Sequence, residues 1–182
     1  GCKRSKQTRH CKNNEITGSG MEQVRVDNHD ILAKKGIEIY SQWLKRKEQQ
    51  DDNYRYQLFA AVDKYSPFDV LQMKINVEDS TIEEQQYIEL KVREIGINEY
   101  EDCSIETYKM QKLQTIAKLS EQRVFLIAIY EKDRKIAIWE IDADKEYDVR
   151  ETTAKWHTAE DWGKKVKQMA RLYLKDAHIY SY

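Results

Sequence analysis

In the segment Tyr87-Ile88-Glu89-Leu90-Lys91-Val92-Arg93, apolar and charged residues alternate from Ile88 onward. Such a period of two is that of a β-strand, with Ile88, Leu90 and Val92 on one face and Glu89, Lys91 and Arg93 on the other. Read alone, this is equally a half-solvated strand with a polar outer face. What lies upstream shifts the balance. Phe68–Ile75 reads as a second strand, and its Asp69 shares a face with Leu71, Met73 and Ile75, beside the only proline of the chain, Pro67. A carboxylate in an apolar strand is costly to bury unless something positive meets it. A structural salt bridge could do so, and so could a divalent cation held jointly by Asp69 and Glu89.

The flanking segments supply a frame. Asp30 to Lys47 carries Ala33, Ile37, Tyr40 and Leu44 at helical spacing, with Asp30 as a cap. Tyr54–Val62 alternates as a first strand, and Asn76–Gln86 reads as a loop or hairpin excursion. Downstream, Asp102 or Ser104 can cap a helix from Ile105 to Leu119. Val124–Tyr130 and Lys135–Ile141 read as strands joined by a charged turn, Glu131–Arg134. Thr158 and Asp161 have nearly the spacing of a capping box and open an expected last helix with the stripe Trp162, Val166, Met169 and Tyr173. Ala177–Tyr182 is an expected short edge strand. The order predicts an α/β domain, a central mixed β-sheet flanked by helices.

Composition agrees. The 182 residues are 40% hydrophobic and 35% charged, with six glycines, one proline and a net charge of −1. This is a globular balance, and overall charge does not exclude a polyanion bound through one patch. Residues 1–20 differ from the rest: Lys3, Arg4, Lys6, Arg9 and Lys12 stand against Glu15 alone, and Gly18-Ser19-Gly20 precedes Met21. This basic segment reads as a tag and linker, or as a flexible arm that touches phosphate, with residues 21–182 as the domain. Cys2, His10 and Cys11 lack the paired spacing of a zinc site, and the three cysteines make no disulfide framework. No apolar run spans a bilayer. The expected compartment is the cytoplasm, without a membrane partner.

Pro67-Phe68-Asp69, then, twenty positions on, Glu89-Leu90-Lys91, resembles the PD-(D/E)XK signature of restriction-endonuclease-like nucleases. The expected order of elements over residues 30–141 resembles that fold. Phe68 interrupts the literal Pro-Asp pair. A second acid-x-lysine, Asp133 to Lys135, falls in the charged turn and has no Asp-bearing partner strand.

The resemblance implies a restriction-endonuclease-like core and a metal-dependent nuclease hydrolysing phosphodiester bonds, with DNA as the expected nucleic acid. Asp69 and Glu89, helped by the Leu90 backbone carbonyl, would hold Mg2+ or Mn2+, and Lys91 would orient the attacking water. Lys109 and Lys112 fall within the apolar stripe of the second helix (Ile105, Tyr108, Ile116, Leu119). They either snorkel out of it or lean over the carboxylates, Lys109 first and Lys112 second. Glu38 is a further candidate ligand, weighed against an ordinary helix-surface glutamate. Arg93, Lys112 and the basic run Lys164, Lys165, Lys167 and Arg171 are the expected nucleic-acid contacts, positioning the backbone without reading sequence. A homodimer is open, and phage, mobile-element and repair settings all fit. His157 and His178 have no catalytic partner, and Trp139, Trp156 and Trp162 read as core. The competing readings are a catalytically inactive binding module of the same fold, and an unrelated α/β interaction protein.

Overall fold

A run of seven buried residues, Val124–Tyr130, organises the molecule. In the computed structural model, which describes residues 28–63, 65–155 and 164–182, this run belongs to a strand buried on both faces. Phe125, Ile127 and Ile129 pack to one side, and Val124, Leu126, Ala128 and Tyr130 to the other. A strand with no polar face must lie inside a sheet covered on both sides.

The elements in chain order are α1 (Asn28–Glu48), β1 (Tyr54–Ala60), β2 (Val70–Asn76), β3 (Ile82–Arg93), β4 (Asp102–Glu106), α2 (Thr107–Ser120), β5 (Arg123–Tyr130), β6 (Lys135–Glu140), β7 (Val149–Lys155), β8 (Lys164–Tyr173) and β9 (His178–Ser181). They form a six-stranded sheet in the order β1-β2-β3-β5-β6-β9 and a three-stranded sheet in the order β4-β8-β7. The large sheet is mixed: β3 and β5 are parallel, and every other neighbouring pair is antiparallel. A parallel pair needs a crossover, which β4 and α2 supply.

One face of the large sheet carries α1, whose Tyr40, Trp43 and Leu44 pack on Val70, Ile88, Leu90 and Ile127. Their spacing makes one helical stripe. Gly36 lets the helix approach closely, since a Cβ there would stand 3.1 Å from Val92 Cγ2. The other face carries α2 and the small sheet: Met110 and Leu113 of α2, Cys103 and Ile105 of β4, and Ala170 and Leu172 of β8 close over Val124, Leu126 and Ala128. The mixed sheet with helices against it is thus the observed architecture, and the tail does form the edge strand β9. No helix among the described residues is long and apolar enough to cross a membrane.

Several expectations are corrected. The last helix is not formed over Lys164–Tyr173, which is strand β8; Thr158, Asp161 and Trp162 lie outside the described residues. Ala170 and Leu172, two residues apart on one face, are buried with half-buried Met169, Arg171 and Tyr173 on the other, while Val166 is exposed, so the expected helical stripe is not the buried one. Pairing with β4 and the unanticipated β7 decides between two periods that the local sequence fits about equally. Asp102 and Ser104 sit in β4 and cap nothing; α2 begins at Thr107 after Glu106, without a side-chain cap bond. The stripe of α2 is also shifted: Met110 and Leu113 are its buried residues, whereas Tyr108 and Leu119 are exposed. Residues 1–20, and with them Cys2, His10 and Cys11, lie outside the described residues, as do Trp156 and His157.

The close approach at Gly36 generates a test. Gly36→Leu must push α1 off Leu90 and Val92, and overpacking of this kind costs about 1–3 kcal/mol. Thermal unfolding of the variant should begin several degrees lower; an unchanged midpoint would show that α1 does not rest on β3 there.

Candidate functional site

The face of β3 turned toward α2 carries Glu89, Lys91 and Arg93 where its neighbour β5 presents Leu126, Ala128 and Tyr130. Charge therefore enters an otherwise apolar layer. Val70 pairs with Ile88, so Asp69, one residue before β2, stands across from Glu89. The backbone fixes it: the Asp69 N–H donates to the Ile88 carbonyl (2.9 Å) and the Ala61 N–H donates to the Asp69 carbonyl (2.8 Å). The Asp69 side chain then accepts from the Leu90 N–H through Oδ2 at 2.7 Å. Ile88 and Leu90 both turn their backbone groups toward β2 here, and strand alternation directs the Leu90 carbonyl to the same side.

Glu89 is buried. Its Oε1 is ion-paired with Lys109 Nζ from α2, and its Oε2 is buried with no hydrogen-bond partner among the described residues. Burial pushes the Glu89 carboxyl up to about 8, with the nearby negative charge of Asp69 adding to the rise and Lys109 pulling against it. For Lys109, burial disfavours the charge, but the attraction and hydrogen bond of Glu89 outweigh it and raise its pKa. A rise of this kind favours the protonated form of the Glu89 carboxyl near neutral pH.

Lys91 lies one pleat further along the same face. Its ammonium donates to the Ser104 backbone carbonyl at 2.5 Å, and burial lowers its pKa to about 8. Arg93 leans on the same carbonyl (3.4 Å) and on Cys103 Sγ (3.5 Å). Both thus cover the free edge of β4, an edge that would otherwise expose unpaired backbone groups. The alternation places Lys91 with Glu89 on one face, but the meeting with Ser104 is not legible locally, because Asp102–Glu106 reads as the cap and start of a helix rather than as strand β4.

The remaining candidates divide clearly. Lys112 is exposed, its ammonium 4.7 Å from the Tyr108 ring, with no ion pair among the described residues. Lys167 is paired with Glu106, and Arg171 Nε with Asp102 at 2.9 Å. Asp102 also faces Arg150 Nη1 at 3.7 Å, and Arg150 donates to the Ser104 hydroxyl at 3.3 Å. These charges hold the outer face of the small sheet rather than a free helix surface, which corrects their expected setting. Lys164 and Lys165 lie in β8, but their side chains are outside what the structure describes. Glu38 is exposed on α1, the helix packed against the opposite face of β3, so the structure does not bring it to Asp69 and Glu89. No cluster of three or more His, Cys, Asp or Glu side chains suited to a metal occurs among the described residues. The carboxylates that do meet are two, which is what Mg2+ asks when waters and a phosphate oxygen complete its shell. The orphaned Glu89 Oε2 and the like-charged Asp69 beside it fit such an ion.

The raised pKa of Glu89 has a consequence for stability. A carboxyl that titrates higher in the folded protein than its ordinary 4.5 stabilises fully below that value, and the contribution is lost as pH rises toward 8. The metal-free protein should therefore weaken across this window, by a loss on the order of a few kcal/mol. Glu89→Gln should flatten the dependence in denaturant titrations at several pH values. An unchanged slope would show that Glu89 is ionised throughout.

No family model and no curated protein matches the sequence. Among solved structures, the chain is similar to a Holliday junction resolvase from the archaeal hyperthermophile Archaeoglobus fulgidus, at TM-score 0.33 and 14% identity, over 55% of this chain and 76% of that one. That likeness is too slight to decide fold or function.

Proposed function

We propose that the protein is a metal-dependent nuclease that hydrolyses phosphodiester bonds in DNA. The observation that carries this reading is the meeting of half-buried Asp69 and buried Glu89 on one face, with Glu89 Oε2 lacking a hydrogen-bond donor among the described residues. The Asp…Glu-x-Lys spacing resembling PD-(D/E)XK nucleases supports it, and so does the setting on adjacent strands of a mixed sheet.

Asp69, Glu89 and the Leu90 carbonyl are the groups that would hold Mg2+ or Mn2+. Such an ion, when bound, polarises a phosphoryl oxygen and lowers the pKa of water. The protein's own residues do the rest. The Leu90 N–H keeps Asp69 oriented toward Glu89. Lys109 keeps a positive charge at the carboxylates, where it offsets negative charge developing on the phosphate. Lys91 reaches that place only by releasing the Ser104 carbonyl. Lys109 therefore takes the leading role that the sequence motif alone would give to Lys91. Lys112, exposed beside them, fits a phosphate contact that positions without specifying. Lys91 tied to β4 is also what an inactive binding module of this architecture would tolerate, and turnover separates the two.

Plasmid, linear DNA and RNA incubated with and without Mg2+ or Mn2+ test the proposal. Metal-dependent cleavage of DNA is expected, and Asp69→Asn and Glu89→Gln should abolish it. Lys109→Ala should lower turnover by roughly 10²–10³, more than Lys91→Ala does. Lys112→Ala should weaken DNA binding and reduce its salt dependence by about one counterion. Cleavage that survives Asp69→Asn would contradict the assignment of the carboxylates, and a larger loss from Lys91→Ala would reverse the order of the lysines.

A further inference from the structure

Beside the carboxylates the surface becomes apolar. Phe68 immediately precedes Asp69, and Tyr87 lies one pleat before Glu89 on the same face, about 7 Å along the strand. The two rings pack edge to face with centroids 4.9 Å apart. With Thr115, Ile116, Leu119 and Ser120 of α2 they line an open groove. The hydroxyls of Thr115 and Ser120 donate to the carbonyls of Gln111 and Ile116, so their polar groups are turned into the helix. Leu119 is 78% exposed at the rim. No charged side chain lines the groove, while Lys112, a helical turn before Ile116, stands exposed near it. An apolar ring surface with no charged side chain in its lining, one strand pleat from a phosphate-handling centre and with an exposed lysine nearby, matches one kind of occupant.

We infer that this groove stacks an unpaired nucleobase flanking the scissile phosphate, so that the substrate is a nucleic acid with a single-stranded or splayed nucleotide at the cleavage point. The inference rests on the proposed nuclease reading and deepens it. Bases inside a duplex present only their edges, whereas an unstacked base offers a π-face to Tyr87 and Phe68. Such stacking is tolerant of sequence, in keeping with contacts that otherwise reach only the backbone.

Binding of the full chain to a short single-stranded DNA and to the same sequence as a duplex, with Ca2+ replacing Mg2+ to separate affinity from turnover, tests it. Tyr87→Leu keeps apolar packing but removes the π-face. It should lower affinity for the single strand by about tenfold and leave the duplex unchanged. Leu119→Ala, at an exposed position, should weaken the single strand in the same sense with the fold intact. Removing one base at a time from the strand should reproduce the tenfold loss at one position, with no further loss there in Tyr87→Leu. Equal losses on both DNAs, no loss on either, or additivity at every position would overturn the stacking inference while leaving the nuclease reading in place. A change in self-association of the protein alone, with DNA affinity unaltered, would instead assign the groove to a second copy of the chain. Absence of any DNA binding by the unaltered protein would overturn both.

Discussion

Two carboxylates, Asp69 and Glu89, share a buried face of the central sheet, and the neighbouring elements are arranged around that conflict. A buried acid is destabilising unless it is protonated, paired or metal-bound. Lys109 from α2 meets one oxygen of Glu89, the Leu90 N–H meets Asp69, and the second oxygen of Glu89 has no partner among the described residues. The sheet cannot relieve the conflict by turning β3 over. A one-residue slip would carry Ile88 and Leu90 out of their packing with α1 and put Glu89 and Lys91 there instead. Apolar burial on one side therefore fixes charge on the other, and the site inherits the rigidity of the core.

The lysines show how the same constraint assigns roles. Lys91 and Lys109 are both near Glu89, yet only Lys109 touches it. Lys91 is drawn to the Ser104 carbonyl because β4 ends the small sheet and leaves that group unpaired on its free side. The large sheet thus lends one of its buried cations to close the edge of the small one. On the outer face of the small sheet, Asp102 is buried between Arg171 and Arg150, a three-charge cluster that ties β4, β7 and β8 together. Charges that looked like a nucleic-acid surface in the sequence are in part engaged in holding this second layer.

What was legible in the sequence follows from these forces. The alternation of Tyr87–Arg93, the unbroken apolar run Val124–Tyr130 and the helical spacing of Ile37, Tyr40 and Leu44 each point to one kind of element, and each element forms, with Glu89 as buried as Ile88 and Leu90 beside it. The spacing of Asp69 and Glu89 drew attention to the pair before any geometry was known. The carboxy-terminal part was misread because Val166, Met169 and Tyr173 keep helical spacing while Val166, Ala170 and Leu172 keep that of one strand face, and only pairing with β4 and β7 separates the two. Strands β4 and β7 carry charged and polar residues along much of their length, so their partners, not their own patterns, define them. Glu38 stands apart from Asp69 and Glu89 for a topological reason: no local signal says which face of the sheet a helix covers.

Whether Asp69 and Glu89 hold a divalent ion between them decides the chemistry of the site. Calorimetric titration of Mn2+ into the full chain at neutral pH measures this directly. A single binding event accompanied by proton release, reduced in Asp69→Asn and lost in Glu89→Gln but retained in Lys91→Ala, is the predicted result. Absence of Mn2+ binding by the unaltered protein, or binding indifferent to both carboxylates, would contradict it.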